Sequence, residues 1–65
     1  MKIKIIDEKT NKEKELDVSS ITEAANELNI DLKEVIITKN NELVTEDAKL
    51  TNGDTIKFLS VISGG

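Results

Sequence analysis

One short segment of this chain carries its apolar residues at helical spacing, whereas the segments before and after it have the patterns of β-strands. The apolar positions of this segment fall at i, i+3, i+4 and i+7, and they are Ile21, Ala24, Ala25 and Leu28. This spacing is one stripe of an amphipathic α-helix. With a single such stripe in 65 residues, the chain can bury one main helix against one partner surface.

Signals at both ends set the limits of this helix. Ser20 followed by Glu23 is a capping box, in which the hydroxyl accepts from a free N–H of the first turn and the carboxylate reaches back to the N–H of the cap residue. At the other end, Asn29 can take the left-handed conformation that ends a helix, and Ile30 can then pack back on the last turn. We therefore predict a helix from about Ile21 to Leu28.

The other regular segments alternate or are rich in β-branched residues, which is typical of strands. Five strands are predicted, over Met1 to Asp7, Glu13 to Val18, Glu34 to Thr38, Glu42 to Val44 and Thr55 to Val61. Polar turns separate them at Glu8 to Lys12, at Lys39 to Asn41 and at Asn52 to Asp54. Residues 45–50 are predicted to form an irregular link or one helical turn.

This order predicts an α+β domain of the β-grasp, or ubiquitin-like, architecture. A mixed sheet of four to five strands would carry the helix on one face, with the first and last strands parallel at its centre. We assign residues 1–61 to this domain and residues 62–65 to a flexible tail. The predicted core is Ile3, Ile5, Leu16, Val18, Ile21, Ala25, Leu28, Val35, Ile37, Leu43, Leu50, Ile56 and Phe58.

Composition excludes several classes of function. The chain has no Cys and no His, which removes a thiol nucleophile, a disulfide framework and the usual zinc sites. A chain this short leaves no room for a deep cleft between two lobes, so we expect no enzyme, no bound cofactor and no metal. The first residues alternate too strictly for a signal peptide, and no stretch approaches the roughly 20 apolar residues of a membrane span. We expect a soluble cytoplasmic protein that is a monomer when free.

The charge pattern argues against nucleic acid as a partner. The net charge is −4, the nine lysines are scattered, and there is no Arg. Guanidinium forks and aromatic stacking platforms, the usual readers of nucleic acid, are therefore missing. An acidic surface suits a partner with a basic docking face, although it also serves simply to keep a small domain soluble.

Three acidic motifs have plain structural interpretations. Asn52-Gly53-Asp54 lacks the further ligands that a calcium loop needs at set spacing, so we predict a structural turn. The pairs Asp7-Glu8 and Glu46-Asp47 are predicted to be solvated surface, because no pocket is expected around them.

The predicted fold and the last residues together resemble a known family. Asn52-Gly53-Asp54 leads into a final strand that ends Val61-Ile62-Ser63-Gly64-Gly65, as in the ThiS/MoaD sulfur carriers. The resemblance covers the whole chain. It is closer to ThiS, because the length is similar and the Pro-Pro that MoaD members often carry before the tail is absent. Archaeal small modifier proteins share the same fold and tail.

The resemblance implies a defined chemistry at the terminus. An ATP-dependent adenylating enzyme of the ThiF/MoeB type would activate the Gly65 carboxylate, and a persulfide donor would convert it to a thiocarboxylate. ATP would be used by that partner and not held by this chain. The sulfur would then pass to an accepting synthase, of the thiazole synthase or molybdopterin synthase type. By resemblance to ThiS, thiamin (thiazole) biosynthesis is the expected pathway.

Two groups of residues are candidates for this work. Gly64 and Gly65 would reach the partner's active site, since glycine permits close backbone approach; their plainer interpretation is a frayed end or a cloning remnant. Leu59, Val61, Ile62, Ser63 and Ile6 would form a partner-binding surface beside the tail on the open face of the sheet. Scattered exposed apolar residues are the simpler interpretation of that group.

Other functions remain open at this stage. The chain could be a ubiquitin-like modifier joined to lysines of target proteins. It could be a MoaD-like carrier for molybdopterin synthesis or tRNA thiolation. It could also be a plain interaction domain whose terminus is never activated.

Overall fold

The computed structural model describes residues 1–8 and 10–60, and these form one five-stranded mixed sheet with one α-helix. The elements in chain order are β1 (Lys2–Asp7), β2 (Lys12–Asp17), α1 (Ile21–Glu27), a 3-10 turn (Leu32–Glu34), β3 (Val35–Lys39), β4 (Glu42–Val44) and β5 (Thr55–Ser60). The strand order is β2-β1-β5-β3-β4. Within the described ranges, no helix is long and apolar enough to span a membrane.

The first and last strands lie side by side at the centre of the sheet. β1 and β5 are parallel, with Ile5 opposite Ile56 and Asp7 opposite Phe58. β2 pairs antiparallel with β1 on one side, and β3 pairs antiparallel with β5 on the other. The predicted β-grasp architecture is confirmed. The domain limit predicted after residue 61 lies outside the described residues.

Helix α1 begins and ends through the predicted signals, with one shift. The hydroxyl of Ser20 accepts from the N–H of Glu23 at 3.0 Å. The Glu23 carboxylate accepts from the N–H of Ser19 at 2.7 Å, and not from that of Ser20 as the sequence suggested. The box therefore closes one residue earlier, because Ser19 offers both its N–H and its hydroxyl to the same oxygen.

The end of α1 is a Schellman motif. Asn29 has a φ of 57°, the left-handed conformation that Asn tolerates. The N–H of Ile30 then donates to the carbonyl of Ala25 at 2.9 Å, and the N–H of Asn29 donates to that of Asn26 at 3.3 Å. Ile30 packs against the core, as predicted.

The core lies between α1 and one face of the sheet. Its buried members are Ile3, Ile5, Val18, Ile21, Ala24, Ala25, Ile37, Leu50, Ile56 and Phe58. Leu16, Leu28 and Val35 are half-buried and pack against its edge. Ala24 was absent from the predicted core, although it belongs to the helical stripe.

The assignment of one residue, Leu43, to the predicted core is wrong. Leu43 lies opposite Thr38 in the β3–β4 hairpin, so its side chain shares the face away from the helix. It is 75% exposed. The turn before it explains the register: Asn40 and Asn41 have φ values of 52° and 70°, a pair of left-handed residues that makes a tight hairpin and fixes which face each β4 residue takes.

Two leucine truncations test this assignment of faces. Leu50→Ala removes a buried side chain and should cost about 2–5 kcal/mol of unfolding free energy. Leu43→Ala removes an exposed side chain and should change stability by no more than about 0.5 kcal/mol. Urea unfolding of both variants measures the difference. Equal losses in the two variants would show that the register of β4 is wrong.

Candidate functional site

The candidate site is built on β5, because this strand runs directly to the C-terminal residues. β5 is paired with β1 from Thr55 to Phe58 and with β3 from Ile56 to Ser60, which lies opposite Val35. Its side chains alternate, and Ile56 and Phe58 point into the core. Lys57 and Leu59 therefore lie on the opposite face, which carries no helix.

Leu59 has an apolar neighbour on this open face. Ile36 of β3 is its direct cross-strand partner, and residues in that relation have side chains close enough to touch. Leu59 is half-buried, whereas Ile36 is 40% exposed. We call these two residues the open-face patch. It adjoins the end of the described part of β5.

Ile6 shares the open face but not the same row. It lies opposite Lys57 in the β1–β5 pairing, and Leu59 is therefore its diagonal neighbour. Ile6 is half-buried. The Lys57 ammonium lies 4.0 Å from the carboxylate of Glu8, so a charged pair borders the patch on the β1 side.

The other predicted site residues are Val61, Ile62, Ser63, Gly64 and Gly65, and all five lie outside the described residues. Their assigned roles stay predictions. Two residues outside the predicted partner-binding set, Ile36 and Leu43, lie on the same open face. The signal for Ile36 was the alternation of β3, since Ile37 faces the core and its neighbour must face away.

The loop before β5 is held by a buried carboxylate. Asp54 is only 7% exposed. One carboxylate oxygen accepts from the N–H of Thr51 at 2.8 Å, and the other accepts from the Thr51 hydroxyl and from the Asn40 amide, each at 3.0 Å. The Asn40 side chain also accepts from the N–H of Thr55 at 3.0 Å. This network ties the start of β5 to the β3–β4 turn.

These bonds lower the pKa of Asp54. The largest cause is the backbone N–H of Thr51, followed by the Asn40 amide, and burial opposes them. A carboxylate that is saturated with donors is a structural anion and a poor base. The predicted structural turn at Asn52-Gly53-Asp54 fits this geometry, and Gly53 has a φ of 93°. Among the residues described, no cluster of acidic side chains could hold a metal ion.

A shallow cleft lies between the end of α1, the 3-10 turn and the β3–β4 hairpin. It has a volume of about 670 Å³. Apolar side chains of Ile30, Leu32 and Val35 line it together with charged residues such as Lys33 and Glu46. Since the chain has neither Cys nor His, this cleft offers no thiol or imidazole for catalysis. Glu46 itself is exposed, as are Asp47 and Glu8, whereas Asp7 is half-buried.

The described residues form a β-grasp domain with one sheet face that carries no helix. The model of the ThiS family matches residues 3–65, and the chain belongs to the ThiS family. Members of this family are small sulfur carrier proteins and not catalysts. The matched range includes the terminal Gly64-Gly65.

A solved structure with the same fold comes from Helicobacter pylori 26695. It is a chain of the complex of subunits 1 and 2 of molybdopterin-converting factor, with a TM-score of 0.78 and 19% identity. The match covers 100% of both chains. At this identity the likeness establishes the fold alone. No curated protein sequence matches significantly.

The Asp54 network generates a prediction about pH. Asp54→Asn keeps the shape of the side chain but replaces one accepting oxygen with a donor, so it should cost about 1–3 kcal/mol at neutral pH. The folded state lowers the pKa of Asp54. Its stabilisation is therefore complete above the unfolded pKa of about 3.9 and is lost as pH falls through the lower folded pKa.

Urea midpoints of the wild type and Asp54→Asn, measured from neutral to acid pH, check this. The difference between the two urea midpoints should be largest at neutral pH and should disappear in the acid range. The pKa of Asp17 is also lowered, by a hydrogen bond from the Met1 ammonium, but this effect is common to both proteins and cancels in the difference. A gap that stays constant with pH would contradict the role of the Asp54 charge.

Proposed function

We propose that this chain carries sulfur as a thiocarboxylate on Gly65, formed after an ATP-dependent enzyme has adenylated the terminal carboxylate. The observation that carries the proposal is the ThiS family match over residues 3–65, which runs through the last two glycines. The absence of Cys and His supports it, because no other group in the chain is suited to hold an activated sulfur.

The chemistry needs the free terminus. A carboxylate is a poor acyl donor, since its leaving group would be oxide. Attack of a Gly65 oxygen on the α-phosphorus of ATP releases pyrophosphate and leaves an acyl-adenylate, from which AMP departs easily. A persulfide sulfur from the donor displaces AMP, and reduction of the S–S bond by a thiol leaves the thiocarboxylate. Every nucleophilic sulfur in this sequence of steps comes from a partner.

Glycine at the last two positions suits this task. The terminus must enter a narrow channel in the adenylating enzyme, and a residue without Cβ permits close approach and unusual φ and ψ angles. The position of the reacting atom matters, because an error of about 1 Å can cost on the order of a hundredfold in rate. Gly64 and Gly65 would therefore work as a slim carrier arm beyond β5.

The open-face patch supports a docking role beside that arm. Leu59 and Ile36 form an apolar surface next to the end of the described β5, and such surfaces are used in protein recognition. Val61, Ile62 and Ser63 would continue this surface toward the partner. The net charge of −4 would favour enzymes with a basic docking face.

The sulfur acceptor we favour is a thiazole-forming synthase of thiamin biosynthesis, because the matching family is ThiS. A molybdopterin-type acceptor is the second candidate. The observation for it is the fold neighbour from Helicobacter pylori, which is a subunit of molybdopterin-converting factor. In either case the chain would act in the cytoplasm, as the protein co-substrate of its ATP-dependent partner.

Deletion of Gly65, the residue that carries the terminal carboxylate, is the direct test. Deletion of Gly65 should abolish pyrophosphate exchange with the adenylating enzyme and leave the melting temperature nearly unchanged, because the core lies within residues 3–58. A matched variant with one extra Ala after Gly65 keeps both glycines but displaces the carboxylate, and it should be equally inactive. Gly64→Val should be intermediate, since it adds bulk but keeps the terminus.

Full exchange activity in the Gly65 deletion would reject both the carrier and the modifier hypotheses. Intact mass from native cells separates those two. Replacement of one oxygen by sulfur at the terminus supports the carrier, whereas adducts that leave a Gly-Gly remnant on lysines support the modifier.

The docking role has its own test. Leu59→Asp should weaken binding to the adenylating enzyme by about tenfold or more, since a charge in an apolar contact costs at least the roughly 1.4 kcal/mol that a factor of ten represents. Leu43→Asp, the same change on the same face but in β4, should have a much smaller effect. Titration calorimetry measures both. Unfolding of Leu59→Asp would instead assign Leu59 to the core.

A further inference from the structure

The backbone N–H and the carbonyl of Lys2 both form hydrogen bonds with the Asn52-Gly53 dipeptide. The N–H of Lys2 donates to the side-chain oxygen of Asn52 at 2.7 Å. The N–H of Gly53 donates to the carbonyl of Lys2 at 2.8 Å. We call these two bonds the Lys2 clamp. It joins the first residue of β1 to the loop that leads into β5.

The clamped dipeptide is also chemically labile. In an Asn-Gly sequence the nitrogen of the glycine can attack the side-chain carbonyl carbon of the asparagine, because no Cβ on the glycine hinders the approach. The new C–N bond closes a succinimide, the bond from that carbon to the side-chain nitrogen breaks, and ammonia leaves with the proton of the glycine N–H. Water then opens the ring, giving aspartate or isoaspartate.

Both reacting groups of Asn52-Gly53 are engaged by the clamp. The glycine nitrogen must lose its proton to become a nucleophile, and this proton is donated to the Lys2 carbonyl. The asparagine carbonyl must turn toward that nitrogen, and its oxygen is held by the Lys2 N–H. Asn52 and Gly53 are both exposed to solvent, so hydrogen bonding and not burial restrains the reaction.

We propose that Asn52-Gly53 is a latent deamidation site that the Lys2 clamp keeps intact while β1 is docked on the loop. The reaction requires only water and proceeds from conformations in which the clamp is open. Isoaspartate adds one methylene to the main chain between Thr51 and Asp54, the two residues joined by the carboxylate network. A loop that contains isoaspartate therefore cannot restore both the clamp and that network.

The first experiment compares rates of deamidation in the folded and unfolded protein. The full chain is incubated at mildly alkaline pH with and without urea, and intact mass reports the gain of one mass unit per event. The folded protein should react at least about tenfold more slowly, since an opening free energy of about 1.4 kcal/mol already gives that factor. Across a urea series the rate should follow the unfolded fraction. Equal rates in the folded and unfolded states would overturn the proposal.

Substitutions locate the effect at the clamp. Lys2→Pro removes the N–H that holds Asn52, at the first position of a strand, where proline is tolerated; the folded variant should deamidate several-fold faster than the wild type. Lys2→Ala keeps both backbone groups and should match the wild type. Asn52→Asp should remove the mass gain from this loop, which peptide mapping checks.

Two outcomes of these variants would overturn the proposal. One is a folded Lys2→Pro that reacts no faster than Lys2→Ala. The other is a mass gain that maps to a different asparagine of the folded chain. If Lys2→Pro does not fold, hydrogen exchange of the Gly53 N–H in the folded wild type takes its place, because this N–H is donated to the Lys2 carbonyl; exchange as fast as in the unfolded chain would overturn the proposal.

Discussion

The parallel pairing of β1 with β5 is the interaction on which the rest of the molecule depends. It joins Lys4 through Asp7 to Thr55 through Phe58, segments at opposite ends of the sequence. Closing so long a loop costs conformational entropy. The burial of Ile5, Ile56 and their neighbours under α1 offsets this cost. Without it the sheet would divide into the β1–β2 hairpin, a two-stranded unit that is marginal in water, and the three-stranded β5-β3-β4 unit.

The loop before β5 sets the alignment of this pairing. The Asp54 carboxylate holds Thr51 and Asn40, and the carbonyl of Asp54 accepts from the N–H of Lys4 at 2.9 Å. One residue thus connects the β3–β4 turn, the loop and β1. Three hydrogen-bond donors to its carboxylate and one to its backbone carbonyl replace the water that Asp54 loses on burial, and the charge of Lys39 also favours the anion.

Most of the fold could be predicted from the sequence, because each element has a local signal that agrees with the global architecture. The helical stripe, the capping pair and Asn29 located α1 within one residue. Leu43 was assigned to the wrong face because the side of a three-residue strand depends on the hairpin register, which two left-handed asparagines set. The role of Asp54 could not be predicted, since its partners Thr51 and Asn40 come together only in three dimensions. Of the candidate site, alternation alone places Leu59, Ile6 and Ile36 on the open face, whereas the contact of Ile36 with Leu59 depends on the cross-strand register.

The position of β5 has a mechanical consequence. A partner that draws on residues 61–65 transmits the force to Ser60 and along the axis of β5. Leu59 and Ser60 are paired with β3 alone, and from Phe58 back the strand is paired with β1 as well, so a load along its axis shears the β3 ladder first and then both ladders together. A strand at the edge of the sheet, pulled across its axis, would instead open one bond at a time. The domain should therefore resist unfolding when a partner pulls on its C-terminal end along β5.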